Sequence, residues 1–160
     1  MRPVRHRFRR RATPVKIEAV ARPSADVLQK VPLFSGLEPR DLERIADSFK
    51  ERKYSAGDAI AKEGQGGAGF FVIGEGTAKV TVQGADRGPL GPGDHFGEIA
   101  LIDEGARTAT VTAETDMTCY AMTVWEFRPF VETDARVAWK LIQALAHKLR
   151  ELETSKQSSS

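Results

Sequence analysis

The chain has 160 residues, 41% hydrophobic and 29% charged, which suits one ordinary domain with a single core and short extensions. Its apolar runs, such as "FFVI" at 70–73, fall far short of the roughly 20 residues of a spanning helix, and no apolar segment follows the basic N-terminus, so neither a membrane span nor a signal peptide is expected. One cysteine, Cys119, excludes internal disulfides, and His6, His95 and His147 are too scattered for a zinc or iron ligand set; a reducing, cytoplasmic setting without metal or cofactor is the expectation.

The net charge of +2 hides an asymmetry. Residues 1–22 hold seven Arg and one Lys against one Glu, a charge of +7, which leaves −5 for residues 23–160. The run "RPVRHRFRRR" reads as a solvated, disordered basic arm over residues 1–25, with nucleic-acid or anionic-surface contact as its sharper alternative. "RRAT" at 10–13 resembles a basic-directed kinase site but is too short to carry an argument.

Beyond the arm, "SADVLQKVPLF" predicts a short helix ending at Pro32. "GLEPRDLERIADSF" predicts an amphipathic helix of about three turns, with Pro39 at its first position and Leu42, Ile45, Ala46 and Phe49 on one face. From Lys50 to Thr123 the period changes to two: Ala78, Val80 and Val82 share a face, and Ala109, Val111 and Ala113 share another, opposite Thr108, Thr110 and Thr112. Turn signals at "SAGD", "EGQGGAG", "GEG", "QGAD" and "GPGD" are spaced as in a small antiparallel barrel or sandwich. From Val124 the pattern is helical again. A Thr-Asp capping signal opens a long helix whose stripe is Val137, Leu141, Leu145, Leu149 and Leu152, followed by a disordered tail over 154–160. Trp125, Phe127 and Phe130 are expected in the core, and Cys119 as a buried strand residue. The expected fold is mainly β with flanking helices: N-terminal helices, an antiparallel roll and two C-terminal helices, with one domain over 26–153.

The β pattern breaks at "HFGEIALIDEGARTA", residues 95–109. Gly97 permits close backbone approach, and "EIALID" can form one or two helical turns before Gly105 reverses the chain. A helical turn opening into a barrel mouth offers backbone N–H groups, here near Ile99, Ala100 and Leu101, and such a terminus suits an anion. Arg107, on the returning strand, can set its planar fork against two phosphate oxygens. Glu98 suits a sugar hydroxyl. One guanidinium, one carboxylate and free amides fit a ligand with a single phosphate charge and a free ribose hydroxyl.

These residues resemble the phosphate-binding cassette of the cyclic nucleotide-binding domain family. "FGEIAL" at 96–101 and "RTA" at 107–109 match its pattern at the usual interval, supported by "VPLFSGL", "AGDAIAKEGQ", "FFVIGEG" and "LGPGDHFGE" across residues 30–152. Ala106 departs from the proline common before the arginine and removes no ligand. The resemblance implies a jelly-roll β-roll with a short cassette helix that binds cyclic AMP or cyclic GMP. It puts the ribose 2′-hydroxyl on Glu98, the cyclic phosphate on Arg107, and backbone contacts on Gly97 and Ala100. Ile99, Thr108 and Ala109 complete the cassette, Val80, Val82 and Leu90 are expected beside the base, and Thr108 is placed to reach a guanine amino group. The long helix is expected to close over the base through Leu149, Leu152 or Glu153, or to meet a protein effector or a second copy.

Four rival readings stand beside this one. In the first, the chain is an interaction module without a ligand, and Arg107 pairs with Asp103 or Glu104. A metal-dependent cupin, suggested by His95 beside Glu98, lacks its further histidines. No nucleophile is paired with a base, so no enzyme is expected. A helix-turn-helix regulator needs tens of residues beyond Glu153, and the chain therefore reads as a stand-alone sensor.

Overall fold

The computed structural model describes residues 22–66, 69–103 and 105–158. The expected basic arm lies outside them as far as residue 21. Arg22, at its inner end, is held to the domain, 2.7 Å from the Glu43 carboxylate and 3.0 Å from that of Asp47.

The chain enters through α1 (Ala25–Gln29), capped by the Ser24 hydroxyl, which accepts from the Val27 amide at 3.2 Å. Pro32 cannot continue that helix and opens a 3₁₀ turn, Pro32–Phe34, before α2 (Pro39–Ala46). Helix α2 is shorter than expected, yet Leu42, Ile45, Ala46 and Phe49 are all buried, the face that the periodicity predicts.

Eight strands follow: β1 (Lys50–Tyr54), β2 (Ala59–Ala61), β3 (Gly69–Glu75), β4 (Ala78–Val82), β5 (Ala85–Leu90), β6 (His95–Phe96), β7 (Thr110–Ala113) and β8 (Met117–Thr123). They form two antiparallel four-stranded sheets, ordered β1-β8-β3-β6 and β2-β7-β4-β5. The turn chemistry explains the connections. The β4–β5 hairpin places Gln83 and Gly84 both at positive φ (53° and 81°), the pair of left-handed positions a two-residue turn requires.

Strand β3 separates two cores. Phe70 and Val72 point into a cluster with Phe34, Leu42, Met122, Phe127, Val137 and Leu141, where the helices pack on the roll. Ile73 belongs to the roll interior with Ala78, Val111, Ala113, Met117 and Cys119. Cys119 is fully buried, and burial pushes its thiol up to about 11, so it is inert as a nucleophile.

Two helices close the chain. The first, α3 (Val124–Thr133), carries a reciprocal Thr123–Glu126 capping box. Val124 and Phe127 are buried, but Trp125 is 68% exposed, against expectation: one residue along a helix turns the side chain about 100°, away from the Val124–Phe127 face. The second is α4 (Ala135–Ser158), before which the Asp134 carboxylate accepts from the Arg136 and Val137 amides at 3.0 and 3.4 Å. Burial fades along it. Val137 and Leu141 are buried and Leu145 partly so, whereas Leu149 and Leu152 are 59% and 58% exposed. The helix runs on to Ser158, so residues 154–158 of the expected tail are helical. Its backbone hydrogen bonds do not need an apolar stripe to continue.

An ion pair with its acid buried and its arginine partly exposed ties the two helical segments together. Asp41 of α2, 2% exposed, accepts from both terminal nitrogens of Arg136 at 3.0 and 3.1 Å. That fork, with the attendant charge, holds the Asp41 carboxyl below its ordinary range even though burial opposes it.

Candidate ligand-binding site

Strand β6 pairs with β3 for two residues, Phe96 opposite Phe71 and His95 opposite Val72. Gly97 then leaves the sheet at φ +86°, and a 3₁₀ turn, Glu98–Leu101, follows. No other residue fits at position 97, since a Cβ there would lie 2.6 Å from the Gly69 carbonyl oxygen and 2.7 Å from Arg107 Nη1. The turn is pinned from beneath by Leu101, 2% exposed in the helix-facing cluster.

The turn's hydrogen bonding corrects one expectation. A 3₁₀ turn closes three residues back, so the Ala100 amide already donates to the Gly97 carbonyl at 3.0 Å and is not free for an anion. A second correction concerns Arg107. It precedes β7, which begins at Thr110, and its backbone pairs instead with the β2–β3 loop: its N–H donates to the Gln65 carbonyl at 2.9 Å and its carbonyl accepts from Gly64 at 2.8 Å. Those two bonds fix the arginine as firmly as a ladder would. Thr108 and Ala109 share this irregular stretch.

The two charged side chains are differently engaged. Arg107 Nη2 donates to the Gly69 carbonyl at 2.8 Å and, among the described residues, the guanidinium pairs with no acid. Asp103 lines the same hollow without an ion pair to it, and Glu104 is not among the described residues. Burial lowers the Arg107 pKa, but a guanidinium stays charged at neutral pH. Glu98 Oε2 lies 3.4 Å from His95 Nε2. Burial raises the Glu98 carboxyl, but the His95 hydrogen bond, its own amide and the fields of His95 and Lys148 outweigh it, leaving the group below its ordinary value. Lys148 belongs to α4, so that helix contributes to the charge felt by Glu98.

Two adjoining hollows meet at Gly97, Arg107 and Thr108. One, about 230 Å³, is lined by Glu98, Ile99, Ala100, Asp103, Gly105 and Ala106 beside those three. The other, about 300 Å³, is lined by Ala61, Val80, Leu90, Phe96, Ala109 and Val111, with Arg87 and His95 as its further polar side chains. Nine of the ten residues expected at the site therefore share these hollows. Val82 does not: it sits at the end of β4 opposite Ala85, two residues beyond Val80 on the same strand. Leu149, Leu152 and Glu153 line neither hollow, and all three are exposed. Sequence reasoning missed Arg87, Ala61 and Phe96. Gly88 and Pro89 interrupt the alternation of β5, so the face Arg87 takes could not be read.

A helical turn leading out of an antiparallel double-sheet roll, above a hollow polar at one end and apolar at the other, defines a small-ligand-binding domain of the jelly-roll class. The chain belongs to the cyclic nucleotide-binding domain family, whose model matches residues 51–134. It is 44% identical over 90 residues to a cAMP-dependent protein kinase regulatory subunit of Mycosarcoma maydis, covering 54% of this chain and 17% of that one. Over 127 residues it is 32% identical to the Cyclic AMP receptor protein of Thermus thermophilus, covering 76% of this chain and 59% of the relative. Among solved structures, the N-terminal domain of a transcriptional regulator from Streptomyces coelicolor A3(2) matches with a TM-score of 0.72 at 31% identity, over 81% of this chain and 94% of that one. The chain thus spans less than two thirds of either relative named for cyclic AMP. Among the described residues there is no helix long and apolar enough to cross a membrane, and no group of three metal-ligating side chains.

Proposed function

We propose that this domain is a regulatory sensor that binds a 3′,5′-cyclic purine nucleotide, cyclic AMP or cyclic GMP. The cyclic phosphate meets Arg107 and the Glu98 and Ile99 end of the turn, Glu98 accepts the ribose 2′-hydroxyl, and the base lies against Val80, Leu90 and Ala109, with Thr108 at its edge. The carrying observation is the state of Arg107. Its side chain spends one donor on a neutral carbonyl and faces a hollow with the others uncommitted by any acid. A single phosphate charge is the complement of that guanidinium, and the Glu98 carboxylate, an acceptor with several lone pairs, is the complement of a hydroxyl. Both relatives named above are named for cyclic AMP.

The output is assigned to α4. Its first half is anchored in the helical core through Val137 and Leu141, and its second half carries Leu149 and Leu152 in the open while Lys148 acts electrostatically on Glu98. Binding that changes the charge around Glu98 changes what α4 gains by lying there. The exposed apolar residues Trp139, Ile142, Leu149 and Leu152 then meet a protein effector or a second copy. A probe at residue 152 reports this: spectra identical with and without saturating ligand overturn the helix rearrangement.

Calorimetry with cyclic AMP, cyclic GMP and linear AMP tests the ligand. Cyclic nucleotides should bind, and linear AMP, with a second charge and a freely rotating phosphate arm, should bind far more weakly. Equal binding of linear and cyclic AMP contradicts the proposal.

A further inference from the structure

His95 has no part in the binding scheme above, yet it is built into the site. It stands on β6 opposite Val72, its ring is 5.9 Å from Phe70 in an edge-to-face arrangement, and its Nε2 reaches Glu98 Oε2 at 3.4 Å. It also lines the hollow that holds Arg107. A carboxylate has two oxygens. His95 engages Oε2, and the carboxylate also accepts from the Glu98 amide, so the imidazole helps to fix the carboxylate without engaging Oε1.

The electrostatic surroundings set the sign of any proton linkage. Among the described residues, the charged groups around this pair are Glu98 from the turn, Asp103 just after it, Arg107 from the loop before β7, Arg87 from β5 and Lys148 from α4. Arg107, Arg87 and Lys148 are cations, and Glu98 and Asp103 are anions. An incoming monoanion adds negative charge beside the imidazole. By reciprocity, if the anion helps His95 hold a proton, the proton helps the site hold the anion.

We propose that His95 is a positioning residue that orients Glu98 and couples cyclic-nucleotide affinity to pH, binding being tighter when the imidazole is protonated. This rests on the ligand reading above and goes beyond it by making the sensor respond to two inputs. Imidazoles change charge between about pH 5 and pH 8, whereas the cyclic phosphate and the adenine ring of cyclic AMP keep their charge there. The other described histidine, His147, lies 3.4 Å from Glu151 on α4 and lines neither hollow of the site.

The test is calorimetry of cyclic AMP at about pH 6 and about pH 8 on the wild type, His95→Gln and His95→Ala, each in two buffers of different ionisation enthalpy. The wild type should bind about threefold to tenfold more tightly at the lower pH, with uptake of a fraction of a proton per ligand; one full pKa unit of linkage is tenfold. His95→Gln keeps a donor for Glu98 without a titratable charge. It should match the wild type at the higher pH and lose the gain, whereas His95→Ala should be weaker at both. His147 is unchanged in these variants, so its contribution cancels. A pH gain that survives in His95→Gln, or a wild type that binds cyclic AMP with no gain and no proton uptake, overturns the inference while leaving the ligand reading standing. A wild type that binds no cyclic nucleotide at either pH overturns both.

Discussion

Two of the molecule's arginines, Arg136 and Arg107, are held in opposite ways. Arg136 is spent: Asp41 takes both terminal nitrogens, and Asp134 and Glu38 lie 3.4 and 3.8 Å away. Arg107 is held in place by backbone bonds on either side and by one carbonyl, while Glu98 turns to His95 instead of to it. The first pair satisfies itself and joins α2 to the start of α4. The second pair of charges is positioned with its capacity unspent. Charge alone does not single out a candidate site; charge fixed by neutral partners and facing a hollow is what sets Arg107 apart.

Exchanging what each arginine loses should separate the two roles. The largest effect belongs to Arg107→Leu, which removes the charge-assisted bond and leaves the phosphate against an apolar side chain. Cyclic-nucleotide affinity measured by calorimetry should fall by about 2–4 kcal/mol, roughly 30-fold to 1000-fold. Denaturant stability without ligand should change by less than about 1.5 kcal/mol, because one hydrogen bond to a neutral carbonyl is lost. Asp41→Ala should do the reverse, lowering unfolding stability by about 1.5–3 kcal/mol, the range for a hydrogen bond to a charged group, with affinity kept.

The same pair carries a pH signature. Because Arg136 holds the folded Asp41 carboxyl below its ordinary value, its contribution is present above about pH 4 and is lost as pH falls through the lowered folded value. Acid unfolding of Asp41→Asn should therefore be shallower than that of the wild type below about pH 4; curves of equal slope would show that the pair contributes nothing. Smaller effects sharpen the other side of the comparison. Glu98→Gln keeps a weaker acceptor for the ribose and should cost about 1 kcal/mol for either cyclic ligand. Thr108→Ala should cost about 0.5–1.5 kcal/mol for cyclic GMP and hardly touch cyclic AMP, and equal losses for both would remove Thr108 from base recognition.

Sequence periodicity carried the strand region from Lys50 to Thr123 and the buried faces of α2 and of the first half of α4, because burial imposes the period being read. It failed where burial stops imposing it. Leu149 and Leu152 continue the stripe of α4 in sequence but have no core beside them, and Trp125 is large and apolar yet stands one position off the buried face. Asp41 was invisible for the opposite reason: its acid faces the core side of α2 because Arg136, 95 residues away in sequence, meets it there. Within the candidate site, the cassette spacing singled out Gly97, Glu98 and Arg107, which the fold brings around adjoining hollows. The Ala100 amide and the backbone of Arg107 depended on bonds within the 3₁₀ turn and to the β2–β3 loop, which no spacing encodes. Val82 and Val80 were alike by alternation, and only the position of the hairpin end distinguishes them.

The contrast between the two arginines is tested most directly by ligand-induced thermal stabilisation of three proteins side by side: wild type, Arg107→Leu and Asp41→Ala, each with and without cyclic AMP at about 100 times the wild-type Kd. Ligand should stabilise the wild type and Asp41→Ala by about 2.7 kcal/mol each, the second from a lower starting midpoint, and Arg107→Leu by far less. An Arg107→Leu protein stabilised as much as the wild type would contradict the account, because the unspent guanidinium would then have no part in holding the ligand.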